Sequence, residues 1–171
     1  MKDLSQVFDR RTWLNFSDKF SIFTRKENKV FMLTKLIEEG QFEKAVAELQ
    51  LDAIKDYHEN LLEGAYDSGS EMYYKFYKYI IENHVETSEL HYQASEMMST
   101  ALNWMPNGYK IAYHHALKAC ELSPHDVSLK EYLLFFHDIP DQLLSDETAR
   151  KVAEEILAID SNNITAKRVL R

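Results

Sequence analysis

Four glycines and three prolines are all that punctuate 171 residues, against roughly 7% and 5% in an average chain. An all-β fold needs a tight turn every few residues, and such turns are built largely on Gly, Pro, Asn and Asp. With so few breakers the stretches between them are long, and the chain reads as all-α. Apolar residues make up 45% of the sequence. That is enough for one continuous core, and the length predicts a single domain over 1–171.

The breakers that do occur fall between helical patterns. From Val30 the apolar residues recur at helical spacing up to Gly40; Phe42, Ala45, Val46 and Leu49 then form one face of a second helix,. Gly40 suits the left-handed position just past a helix end, so residues 30–50 read as a helical hairpin. Elsewhere Ser68 with Glu71 has the form of a capping box. Ser123, Pro124 and Asp126 read as the cap, first and third positions of a new helix, and Ser145 precedes another,. Asp138, Ile139 and Pro140 end the helix that holds the run Tyr132 to Phe136,.

Gly40, Phe42 and Ala45 resemble the helix–helix turn of the tetratricopeptide repeat, which places a glycine, an aromatic residue two positions on and an alanine three further on. Tyr109, Ala112, Ala119 and Pro124 match the pattern again, with Gly108 one place late. A weaker copy carries Ala149 and Ala153, with Ser161 where the family prefers proline. The alanines at 45, 112 and 149 are separated by 67 and 37 residues, close to two periods and one of a repeat of about 34. A degenerate copy falls between the first two, with Gly69 at the turn and Tyr74 where a small residue belongs; that hairpin is expected to pack differently. The resemblance covers 30–171 and implies a right-handed superhelix (solenoid) of about four TPR-like antiparallel hairpins, a type of protein that commonly binds other proteins. Residues from Asn163 onward read as the closing helix of the array.

Residues 1–28 differ from the rest. Phe8, Trp13, Phe16, Phe20 and Phe23 are interspersed with basic residues and keep no helical period after Trp13, which reads as an N-terminal arm or cap over the first hairpin. The net charge of −8 is uneven: 1–30 hold seven Lys/Arg and four Asp/Glu, 31–100 hold five and fourteen, and 101–171 hold eight and ten. Acid in the middle repels phosphate backbones and attracts basic partners, so nucleic acid is not an expected ligand. No apolar run is long enough for a membrane span, the N-terminus lacks the apolar run of a signal peptide, and the only cysteine is Cys120; a cytoplasmic protein without membrane contact is expected.

Little in the sequence points to catalysis. Seven histidines occur, but without His-Glu-X-X-His, a Cys cluster or a Gly-rich phosphate loop, and no metal or other cofactor is expected. The pairs His125-Asp126 and His137-Asp138 are similar to the metal-binding pair of HD-type phosphohydrolases. They define the alternative reading, a metal-dependent hydrolase, although both sit at helix ends where Asp has capping work. Of the neighbours His114 and His115, which point about 100° apart on a helix, one alone can face a groove.

The densest aromatic stretch runs from Met72 to Ile81 and is apolar on more than one side, as expected of a helix packed on two sides within an array. Tyrosine also pairs a large contact area with a polar tip, which makes Tyr73, Tyr74 and Tyr77 candidates for a partner-facing patch, with His114 and Trp104 beside them. The run from Tyr132 to Phe136 reads as core. The expected function is therefore a non-catalytic protein-binding module for a partner protein or peptide, with an inhibitor or immunity-type protein for a basic partner as a special case. Homodimerisation through the tyrosine-rich helix is the other assembly open to it.

Overall fold

A computed structural model of the protein describes residues 26–171, and the aromatic arm read over 1–28 lies almost wholly outside them. The described chain is all-helical and contains no β-strand. Helix α1 runs through 26–38 and is followed by α2 (Phe42–Leu49), a 3-10 turn (Leu51–Ala53), α3 (Ile54–Ser68) and α4 (Met72–Asn83). Then come α5 (Ser88–Ser99), α6 (Gly108–Leu122), α7 (Val127–Asp138), α8 (Asp146–Ile159) and α9 (Ile164–Val169).

The turn at Gly40 closes as its sequence implies. Gly40 has a φ of 71°; its N–H donates to the Ile37 carbonyl at 2.9 Å and the Gln41 N–H to the Leu36 carbonyl at 2.8 Å. This pair of bonds satisfies carbonyls that the helix end leaves without intrahelical partners. Left-handed residues recur before α4 and α6, at Gly69 (φ 62°) and Asn107 (φ 61°). Asn107 thus holds the position that Gly108, one residue late, does not; asparagine is one of the few residues that enter this region at little cost.

Not every cap expected from the sequence forms. Glu71 is the cap residue of α4 but makes no side-chain cap bond; it pairs with Lys75 instead, and Ser68 Oγ donates back to the Gly64 carbonyl at 2.7 Å. Asp126, not Ser123, caps α7: its Oδ1 accepts from the Ser128 and Leu129 N–H groups at 2.9 and 3.4 Å. Ser145 caps α8 through the Thr148 N–H at 3.3 Å, as its position suggests.

Consecutive helices pack on one another from α3 to α9, most extensively α5 on α6, and α2 and α3 also reach α4 and α5 respectively. One buried apolar cluster runs from Leu33 in α1 to Ala166 in α9. Ala45, Ala112, Ala119, Ala149 and Ala153 are all buried within the described core, where a residue no larger than a methyl group lets two helix axes approach. Gly64 has a similar task that the sequence does not announce. A Cβ there would lie 2.5 Å from the Tyr73 hydroxyl, so the absence of a side chain on α3 is what admits that ring.

Candidate functional site

The tyrosine-rich helix α4 is the first correction to the sequence reading. Tyr73 and Tyr77 are 1% and 0% exposed, so neither forms part of a surface patch. The Tyr73 hydroxyl donates to Glu38 Oε1 at 3.0 Å, and the Tyr77 hydroxyl lies 2.8 Å from His58 Nδ1. Burial raises both tyrosines well above their ordinary pKa. Both polar tips find partners within the chain, that of Tyr77 in the interior and that of Tyr73 on exposed Glu38 at the surface, which is how a tyrosine ring becomes core. Tyr74 is half-buried, with its hydroxyl 3.2 Å from His115 Nε2.

Of the histidine neighbours on α6, His115 turns inward and His114 stays on the exposed surface. His91 links His115 to Glu86, with Nδ1 to Nδ1 at 2.8 Å and Nε2 to Glu86 Oε1 at 3.1 Å. Burial, helped by repulsion from His91, His114 and Lys78, lowers the His115 pKa to about 4. With His115 neutral, one set of hydrogens satisfies every contact of the neutral pair. Tyr74 donates to His115 Nε2, His115 Nδ1–H donates to His91, and His91 Nε2–H donates to the carboxylate. Trp104 sits in the loop between α5 and α6, is 64% exposed and approaches Gly69 at the α3–α4 turn that precedes the tyrosines.

A different set of residues forms the most coherent surface feature. Along α5, Glu89, Tyr92 and Glu96 follow at three- and four-residue steps and share one face,. Opposite them on α7 stand Ser128, Tyr132 and Phe135. Between the two helices lies a recess of about 260 Å³ lined by Ser88, Glu89, Tyr92, Asp126, Ser128, Leu129 and Tyr132. The Tyr92 and Tyr132 rings meet edge to face with centroids 5.0 Å apart. Phe135, 38% exposed, continues the aromatic surface, stacked on Tyr132 with an interplanar angle of 11°. The run from Tyr132 to Phe136 is thus only partly core: Leu133, Leu134 and Phe136 are buried, while Tyr132 and Phe135 reach the surface.

Hydroxyl chemistry holds the wall of this recess in place. Ser95 Oγ donates to the Ala112 carbonyl at 2.6 Å, which uses its only hydrogen, so at 3.0 Å from Ser95 the Tyr132 hydroxyl must be the donor. Ser99 Oγ lies 3.0 Å from the same hydroxyl and 3.2 Å from the Glu96 carbonyl, two acceptors for its one hydrogen,. On the other wall burial, Glu96 and Glu89 push the Tyr92 pKa up to about 12. Glu96 itself accepts from His58 Nε2 at 2.8 Å, and Glu89 Oε1 accepts from Gln93 Nε2 at 3.0 Å.

Tyr92, Tyr132 and Glu89 were not legible as a site. Their one signal is the shared face of Glu89, Tyr92 and Glu96, which looks like any solvated helix face until α7 is placed beside it.

The His-Asp pairs do not converge. Asp126 is occupied with the Ser128 hydroxyl and the α7 cap, which in that order lower its pKa, and His125 is exposed. His137 bonds Asp146 at 2.9 Å and Asp138 pairs with Arg168. Among the described residues no three His, Cys, Asp or Glu side chains gather so as to hold a metal ion. Cys120 is half-buried and its thiol is pushed up to about 11, chiefly by burial, which leaves almost no thiolate to act as a nucleophile at neutral pH. No described helix is long and apolar enough to cross a membrane. The chain matches no model of a known protein family, and no curated protein shows significant similarity to it.

Proposed function

We propose that the chain is a non-catalytic protein-binding module of the helical-repeat kind, resembling tetratricopeptide repeats, and that it meets its partner protein through the α5–α7 face. In this reading α1–α2, α3–α4, α5–α6 and α7–α8 are four hairpins of one right-handed superhelix, closed by α9, and the module works in the cytoplasm. The pairing is supported by the short left-handed turns before α2, α4 and α6 and by the alanines buried between helices. The observation that carries the functional reading is the contiguous aromatic surface of Tyr92, Tyr132 and Phe135, which borders carboxylates and is braced from behind by Ser95 and Ser99. Rigid aromatic rings with a polar rim are what protein interfaces use as anchors.

The test is a photo-crosslinking residue placed in the full chain either at Phe135 or at His114, an exposed α6 position outside that face, followed by purification of the crosslinked protein. A partner that crosslinks from 135 alone, and whose binding to the purified chain is lost in a Tyr92→Ala/Phe135→Ala double variant, supports the assignment. Equal crosslinking from both positions, or none from 135, rejects it.

A further inference from the structure

The recess between α5 and α7 has a chemistry more specific than a general docking face, and we propose that it receives an arginine side chain of the partner. This rests on the protein-binding reading above and deepens it. Two aromatic rings and two carboxylates, Glu89 and Asp126, line the recess, and no Lys, Arg or His is among its lining residues. Glu96 lies beyond Tyr92 on the same face and adds to the negative field on that ring.

Both helices begin at this recess, and a helix N-terminus ordinarily favours an anion. Here three of the first-turn N–H groups, those of Leu90, Ser128 and Leu129, already have partners within the chain. Thr87 Oγ1 accepts from the Leu90 N–H at 3.2 Å, and Asp126 Oδ1 takes the Ser128 and Leu129 N–H groups as well as the Ser128 hydroxyl. An incoming anion would also meet the Glu89 and Asp126 carboxylates. Burial first, then Glu96 and Glu89, push the Tyr92 pKa up to about 12, so added negative charge is disfavoured there. A cation meets no such barrier.

A buried amide holds one of the two carboxylates in place. Gln93 is 1% exposed; its Nε2 holds Glu89, while its Oε1 has no hydrogen-bond partner among the described residues. An unmatched buried acceptor is unfavourable, and turning the amide over would only set that oxygen against the Glu89 carboxylate. The orientation that leaves Oε1 unmatched is the one that fixes Glu89 at the recess. Between an ammonium and a guanidinium, the geometry favours the latter. A planar guanidinium can stack on an aromatic ring while its fixed fork donates two parallel bonds to a carboxylate, whereas an ammonium is a compact point charge without that fork.

The experiment is an amide-resolved NMR titration of the full chain with the peptide acetyl-Gly-Arg-Gly-amide, and with the same peptide carrying lysine or citrulline in place of arginine. The expected result is saturable shifts at Ser88, Glu89, Tyr92, Ser128 and Leu129 with arginine, weaker binding with lysine and none with citrulline, which keeps the shape and loses the charge. Glu89→Gln should weaken arginine binding about tenfold, roughly 1.4 kcal/mol, while Glu154→Gln on the exposed side of α8 leaves it unchanged. Unaltered melting of Glu89→Gln separates this from loss of fold. Equal binding of citrulline, shifts scattered over the surface, or an unaffected Glu89→Gln would overturn the proposal. A partner that crosslinks from position 135 but binds equally well with its interface arginines removed sinks this inference and leaves the module reading intact. Arginine-specific shifts in a chain that crosslinks no partner do the reverse.

Discussion

Helix α4 and the α5–α7 face both use tyrosine, in opposite ways. On α4 the Tyr73 and Tyr77 rings are fully buried, and their hydroxyls end on Glu38 at the surface and on buried His58. On α5 and α7 the Tyr92 and Tyr132 rings form the walls of a recess, and only the Tyr132 hydroxyl is anchored to serines behind it. A count of tyrosines therefore marks the wrong helix. What separates a core tyrosine from one available to a partner is where the rest of the fold leaves the face of the ring.

That contrast predicts its own largest effect. Tyr77→Ala removes a fully buried aromatic and should cost about 3–5 kcal/mol of stability, whereas Tyr92→Ala should cost far less and abolish partner binding instead. Urea denaturation of the two variants compares them directly; similar losses of stability would erase the distinction between the two regions.

Next comes the buried histidine that Tyr74 shares with α5. His115 has a pKa near 4 in the folded protein against an ordinary 6.5, so the unfolded chain binds this proton first as the pH falls. Its contribution is fully present above about pH 6.5 and is lost progressively toward pH 4, on the order of 2–3 kcal/mol. Denaturation midpoints at pH 7 and pH 4.5 should differ less in His115→Gln than in the wild type. An unchanged pH dependence would mean that the charged form of His115 suffers no special penalty in the fold.

Gly64 sharpens the account of α4. Gly64→Ala gains helix propensity yet drives a methyl group to 2.5 Å from the Tyr73 hydroxyl, so that ring must shift, with a net cost of about 1–2 kcal/mol,. Pairing it with Tyr73→Phe, which removes the atom nearest that methyl, should recover part of the loss in a thermal melt. The smallest effect is expected of Tyr92→Phe, which keeps the ring: stability should stay within about 0.5 kcal/mol and crosslinking from position 135 should persist. Loss of crosslinking there would assign the Tyr92 hydroxyl, rather than its ring, to the interface.

The helices themselves were largely legible. Where Phe42, Ala45, Val46 and Leu49 fall on one side of a short segment bounded by Gly40, helical spacing is hard to read otherwise, and the left-handed turns at Gly40 and Gly69 lie where the glycines do. Caps were less so: Ser68 and Ser123 look like cap residues, yet Glu71 and Asp126 hold those positions, because a cap depends on which residue the preceding loop leaves in extended backbone and which in helical. The site was hardly legible at all, since it joins Glu89 and Tyr92 to Asp126 and Tyr132 on another helix.

The sequence by itself determined that this chain is helical, where many of its helices are divided and which alanines lie against a neighbouring helix, because propensity, spacing and breakers act over a few residues. Only the tertiary structure decided which tyrosines are core, that His115 rather than His114 turns inward, and that a tyrosine–carboxylate recess opens between α5 and α7. Each of those outcomes depends on what a second helix places against the first: on α4 the charged stripe of Glu71, Lys75, Lys78 and Glu82 marks the exposed side, but which of the remaining aromatic residues a neighbour covers is set by that neighbour.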